Sequence, residues 1–129
     1  MEEILFRGKR PNSGKWIEGY PYKESCFAWI LSPRFKIPEY SCEVLPETVG
    51  QYTGFTDKNG KKVFDGDIVR GRDYTFFIKF CNGAYYVFYC GVHDPYGEYH
   101  RWGLISRFEE LNIEIEIVGN IHDNPELLK

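Results

Sequence analysis

The residues best suited to chemistry fall in two places. Cys90-x-x-His93, with Asp94 and His100 close behind, offers sulfur, nitrogen and oxygen donors of the kind zinc accepts. Structural zinc takes four such ligands, usually as two tight pairs. Here one half-pair stands without a second, so a polar loop beside a buried cysteine accounts for these residues better. Asp57-x-Asn59-Gly60 echoes the opening of a calcium loop, but the spacing and the closing Glu are missing. A tight turn explains it fully. Asp65 and Asp67 are near enough for paired acid–base work, yet two carboxylates flanking a glycine turn more often bond nearby amides. The three histidines lack a nucleophile motif such as G-x-S-x-G. No Gly-rich loop leads into a helix that would hold phosphate. The expectation is a protein that is not an enzyme and uses neither metal nor cofactor.

One further pattern concerns binding. Lys58, Lys61, Lys62, Arg70 and Arg72 precede an aromatic hairpin, which together suit single-stranded nucleic acid. Residues 51–81 carry six Lys/Arg against four Asp, whereas residues 109–129 carry six acids against one Lys. The net charge of −3 gives no global attraction to nucleic acid. Lys61 and Lys62 serve equally well as charges that keep a strand edge from aggregating. Contacts through Lys61, Lys62, Arg70 and Arg72 are therefore the second reading.

The elements that must position these groups are strands. Aromatic residues make up 18% of the 129, with ten Tyr and ten Phe, and Ala occurs only at positions 28 and 84. A chain of this length buries a core without staples. Cys26, Cys42, Cys81 and Cys90 show no C-x-x-C pair, and the acidic start Met1-Glu2-Glu3 is unlike a signal peptide. No apolar run reaches the ~20 residues of a membrane helix. Reduced thiols in a cytoplasm are the expectation.

Residues 1–50 read as a β-rich section. A first strand lies over residues 4–7, and a second begins near Lys15, with Pro21 marking an edge strand or a break. An apolar strand spans residues 26–31, Pro33 and Pro38 punctuate the next stretch, and another strand covers residues 40–45. Folding about Asn59-Gly60, with both residues at positive φ, sets Phe55 opposite Phe64 and Thr56 opposite Val63. The hairpin over residues 74–90 turns at Asn82-Gly83 and pairs Cys81 with Ala84, Phe80 with Tyr85, Ile78 with Val87, and Phe76 with Tyr89. Both its faces are apolar. If Phe76, Ile78, Phe80, Tyr85, Val87 and Tyr89 fill the core, Phe77, Tyr86 and Phe88 face outward and need a cover. Residues 1–50 or a second copy of the chain would supply it. Residues 91–102 read as a polar loop, and the spacing of Leu104, Phe108 and Leu111 predicts a short helix over residues 104–111. Ile113, Ile115, Ile117, Gly119 and Ile121 alternate as a strand, and Asn124-Pro125 caps a last helical turn.

The strings QYTG, DKNGK and VFDGDIV within residues 51–70, and VGNIHDNPELL over residues 118–128, resemble the YopX family of small phage and prophage proteins. A looser echo is ILFRGK near the start, and residues 91–102 look like an insertion particular to this chain. The resemblance implies a β-rich fold, a barrel-like C-terminal half and a phage origin, and it carries no catalytic residues. The expected architecture is mainly β, with an N-terminal β section (residues 1–50), an SH3-like partly open barrel (residues 51–129) and one or two short helices. The expected role is a phage-encoded accessory or interaction module in the cytoplasm of a bacterial host. It would form a homo-oligomer through Phe77, Tyr86 and Phe88, with a phage or host protein as a further partner and no membrane.

Overall fold

The computed structural model describes residues 4–31 and 41–129; Pro33, Pro38 and Tyr40 lie outside them. Two antiparallel sheets dominate, so the fold is mainly β. The chain forms two compact units, Met1–Tyr52 and Thr53–Lys129.

In the first unit β1 (Phe6–Lys9), β2 (Trp16–Glu24), β3 (Phe27–Leu31), β4 (Ser41–Val44) and the start of β5 (Gly50–Thr56) lie in the order β4-β3-β2-β1-β5. Pro21 does not break β2, but it stands where one side of the strand is open, because β2 changes partners. Trp16 to Gly19 pair with β1, and Tyr20 to Glu24 pair with β3. At Pro21 only β3 is alongside, so the missing amide donor costs no ladder bond. Gly19 marks the exchange: a Cβ there would lie 2.8 Å from the Ile30 side chain and would also strike the Leu31 carbonyl. Ala28, Ile30 and Val44 form this unit's core, with Phe6, Ile17 and Val49 packed on them. A 3₁₀ turn at Pro46–Thr48 leads into β5, and Thr48 Oγ1 accepts the Lys9 amide at 2.9 Å.

The second unit contains the end of β5, then β6 (Lys62–Phe64), β7 (Asp67–Gly71), β8 (Tyr74–Cys81), β9 (Ala84–His93), β10 (Tyr99–Leu104), α1 (Arg107–Glu110) and β11 (Ile115–Asn120). Its five-stranded sheet runs β10-β9-β8-β7-β11. The β8–β9 register is the one expected, and Asn82 (φ 50°) and Gly83 (φ 82°) both hold the positive φ of a type I′ turn. Val63, Val69, Phe76, Ile78, Val87, Ile105, Phe108 and Ile115 make one buried core. Phe76 sits in its aromatic centre, 5.1 Å from Tyr89, 5.4 Å from Trp102 and 5.5 Å from Phe108. Among the described residues no barrel closes. β11 instead meets the β5–β6 turn, where the Lys58 amide donates to the Ile115 carbonyl at 2.8 Å.

Four expectations of local structure are overturned. The turn at Asn59-Gly60 is not type I′: Gly60 has φ 80°, but Asn59 is not at positive φ. The Asp57 amide donates to the Lys61 carbonyl (2.8 Å), which leaves a three-residue loop and shifts the facing pairs by one from those expected. Residues 91–102 are no polar loop, since they complete β9 and build β10 around a tight turn. The helix is four residues long, Arg107–Glu110, and Leu104 ends β10. Of the three apolar positions that suggested a longer helix, only Phe108 is buried. The C-terminal Pro125–Leu128 is a 3₁₀ turn, where Asn124 makes no side-chain cap and its Oδ1 accepts the Asn120 amide at 3.3 Å. No helix of the described residues is long and apolar enough to cross a membrane.

Candidate functional site

The acidic residues singled out for chemistry are held by backbone amides. Asp57 is 6% exposed; its Oδ1 accepts the amides of Asn59 and Lys61, both at 2.9 Å, and its Oδ2 accepts Ile117 at 3.1 Å. Burial alone would push this carboxyl up. The three amides, Ile117 foremost, and the nearby Lys61 charge overcome that and hold it below the usual carboxylate range. Asp65 Oδ1 accepts the Phe80 amide at 3.0 Å, and Asp67 Oδ2 accepts that of Phe64 at 2.7 Å, in keeping with their turn setting. Asp94 Oδ1 accepts Tyr96 and Glu98, both at 2.9 Å. Burial pushes the Cys90 thiol up to about 11, which keeps it protonated and a poor ligand at neutral pH. Among the described residues no three His, Cys, Asp or Glu side chains gather where a metal could bind.

Phe77, Tyr86 and Phe88 share the outer face of the β8–β9 hairpin, but they do not form an open patch. Phe77 is only 8% exposed, stacked on Phe88 (centroids 5.2 Å) and met edge-on by Tyr99 (5.0 Å). The Arg101 guanidinium lies 4.5 Å from the centre of the Tyr86 ring. Tyr99 and Arg101 belong to β10, so the segment expected to be a polar loop supplies part of the cover, where residues 1–50 or a second copy were the expected sources. Its signal is present in Asp94-Pro95-Tyr96-Gly97, the same D-x-x-G spacing as Asp57 to Gly60.

The basic candidates separate. Arg70 and Arg72 border a cleft of about 450 Å³ with Lys58, Ile113, Glu114 and Glu116; Lys61 and Lys62 are not among its lining residues. Lys58 pairs with Glu116 at 3.5 Å. A smaller hollow of about 110 Å³ shares Arg72 and Ile113 with the cleft and is walled by Tyr74, Tyr89, Trp102 and Leu111. Tyr74 is 58% exposed at its mouth and touches Tyr89 edge-on at 5.7 Å. Arg72 is held at φ 55°, a conformation that a residue with a Cβ adopts at a cost of roughly 1–2 kcal/mol. The site is thus a groove with a basic end and an aromatic end. The sequence pattern points to Lys58, Arg70, Arg72 and the aromatic hairpin that opens at Tyr74, but not to Trp102, Leu111 and Ile113, which only the fold brings beside them.

No curated protein matches the chain. A family model described as YopX protein matches residues 5–129, well beyond the two stretches that carry the resemblance most densely, and on that match the chain belongs to the YopX family.

Proposed function

We propose that this protein is a non-catalytic interaction module, encoded by a phage or prophage, that associates with copies of itself in the cytoplasm of its bacterial host. The observation that carries the proposal is the display of large apolar side chains on hydrogen-bonded strands and turns. Tyr74, Phe80, Val92, Tyr96 and Leu104 are all exposed. Exposed aromatic groups on a fixed backbone suit protein binding, because little conformational entropy is lost when they are covered. The carboxylates that a hydrolytic or acid–base reaction would use are instead engaged by turn amides. Sedimentation velocity on the intact chain tests the proposal. Association that grows with concentration is expected, and a strict monomer at tens of micromolar would refute it.

A second reading, binding of single-stranded nucleic acid, draws on Arg70 and Arg72 beside Tyr74. Cations and stacking rings are what such a strand requires. The net charge of −3 gives a polyanion no overall attraction, which ranks it second.

A further inference from the structure

The β9–β10 turn holds Tyr96 away from its own chain. Tyr96 is 92% exposed, yet its backbone is fixed: Asp94 Oδ1 takes the Tyr96 and Glu98 amides, the Asp94 amide donates to the Glu98 carbonyl (2.8 Å), and the Gly97 amide donates to the Asp94 carbonyl (3.0 Å). Nothing in the core requires that ring. A rigid turn that presents a bare aromatic ring between two carboxylates, Asp94 and Glu98, has the form of an anchor that fits an aromatic pocket with a cationic edge.

The groove in the same unit has that form. Its aromatic end offers Tyr74, Tyr89 and Trp102, and its basic end offers Arg70 and Arg72. With Lys58 and Glu116 paired to each other, two guanidiniums face one remaining carboxylate, Glu114. Among the described residues neither guanidinium makes an ion pair. Arg72 keeps its strained φ although a glycine in that turn would relieve it, and strain held at a surface groove points to use of the side chain. Resting on the self-association proposed above, we infer that the Tyr96 turn of one copy seats in the Arg70/Arg72/Tyr74 groove of the next. The ring would pack against the aromatic end, and Asp94 and Glu98 would face the guanidiniums.

Such a contact sets a turn against a groove, so two copies can exchange it as a reciprocal two-fold pair, or it can repeat head-to-tail into a ring or a filament. Strand pairing along the β10 edge is a poorer route, since β-bulges between Tyr99 and Arg101 and between Arg101 and Gly103 break its ladder.

The test uses the full chain, as parent, Tyr96→Ser, Arg72→Gly and an equimolar mixture of the two variants, in sedimentation velocity. The parent should form dimers or larger species, and each variant alone should associate at least about tenfold more weakly. The mixture should restore a dimer and nothing larger, because it holds one intact turn and one intact groove per pair. At a concentration low enough to keep the parent monomeric, Arg72→Gly should melt no lower than the parent, which separates lost contact from lost fold. If either variant assembles like the parent, the inference fails while self-association stands; a monomeric parent removes both. Binding of a labelled single-stranded oligonucleotide at physiological salt, lost in Arg72→Gly, would give the groove to nucleic acid and overturn the inference.

Discussion

In the turns at Asp57 and Asp94 one carboxylate oxygen accepts two amides, Asn59 and Lys61 in the first and Tyr96 and Glu98 in the second, all at 2.9 Å. The backbone bonds agree as well: residue one to residue five at 2.8 Å, and the glycine amide back to the aspartate carbonyl at 3.0 Å. Gly60 and Gly97 hold φ of 80° and 87°. The difference lies in the second oxygen. Asp57 Oδ2 reaches the Ile117 amide on β11, sixty residues away in sequence, and ties the hairpin to a sheet edge. Among the described residues Asp94 makes no comparable long-range bond, so its turn projects Tyr96 into water. One local rule thus makes a structural joint in one place and a display platform in the other, and tertiary context alone decides which.

The largest break in this symmetry should come from replacing each aspartate by asparagine. In Asp57→Asn the retained oxygen can still accept Asn59 and Lys61, but the new NH₂ faces the Ile117 amide, donor against donor. Leaving that amide unsatisfied should cost about 2–3 kcal/mol. Asp94→Asn keeps every turn bond and should stay within about 0.5 kcal/mol of the parent. Urea unfolding of both variants checks the contrast, and equal costs would erase it. The pH dependence sharpens it further. The folded state lowers the Asp57 carboxyl below its unfolded value of about 3.9, so its contribution is complete above that pH and is lost as pH falls through the folded value. The gap between parent and Asp57→Asn should therefore shrink on acidification. A gap that stays constant down to about pH 2 would show that ionisation of Asp57 is not what stabilises the joint.

The same pair of turns shows what is legible in the sequence. Asn82-Gly83 sets the β8–β9 register because both residues tolerate positive φ and nothing nearby competes. Asn59-Gly60 carries the same dipeptide, but Asp57 captures two amides of the loop and selects a three-residue turn that sets Asp57 opposite Lys61. That competition turns on a side chain two positions upstream. Asp94-x-x-Gly97 reads as loop because Pro95, Tyr96 and the histidines around it lack strand alternation, although it shares the D-x-x-G spacing of the Asp57 turn. The Leu104, Phe108 and Leu111 spacing matches a helix by coincidence, since Leu104 belongs to the preceding strand. The groove is the least legible feature. Arg72 and Tyr74 come from the β7–β8 turn, Leu111 and Ile113 from the segment after α1, and Trp102 from β10, so no local pattern joins them.

Backbone strain gives a middle-sized test that should not distinguish the two turns. A Cβ at Gly60 or Gly97 would meet nothing within 4 Å, so only the positive φ opposes a side chain. Gly60→Val and Gly97→Val should each cost about 1–2 kcal/mol, read as a lowered unfolding midpoint. If Gly60→Val left the midpoint unchanged, the turn at Asp57 would not have the assigned geometry. If only Gly97→Val were silent, the Asp94 turn would be free to take up another conformation, and a rigid Tyr96 anchor would lose its basis.

The smallest effect separates the two Asn-Gly dipeptides. Asn82 occupies the left-handed region at φ 50°, where asparagine is tolerated better than alanine. Asn59 is not at positive φ, and only its amide serves the turn, donating to Asp57 Oδ1 at 2.9 Å. That amide survives substitution. Asn82→Ala should therefore lower stability by about 0.5–1 kcal/mol, while Asn59→Ala should stay within about 0.3 kcal/mol of the parent. Paired thermal melts resolve this if both variants are measured beside the parent at one protein concentration, which keeps any linkage to binding equal among them. Equal losses would mean that both dipeptides form type I′ turns and that Asp57 does not select the loop. A loss confined to Asn82→Ala would leave the carboxylate at position 57 as the feature that separates one Asn-Gly turn from the other.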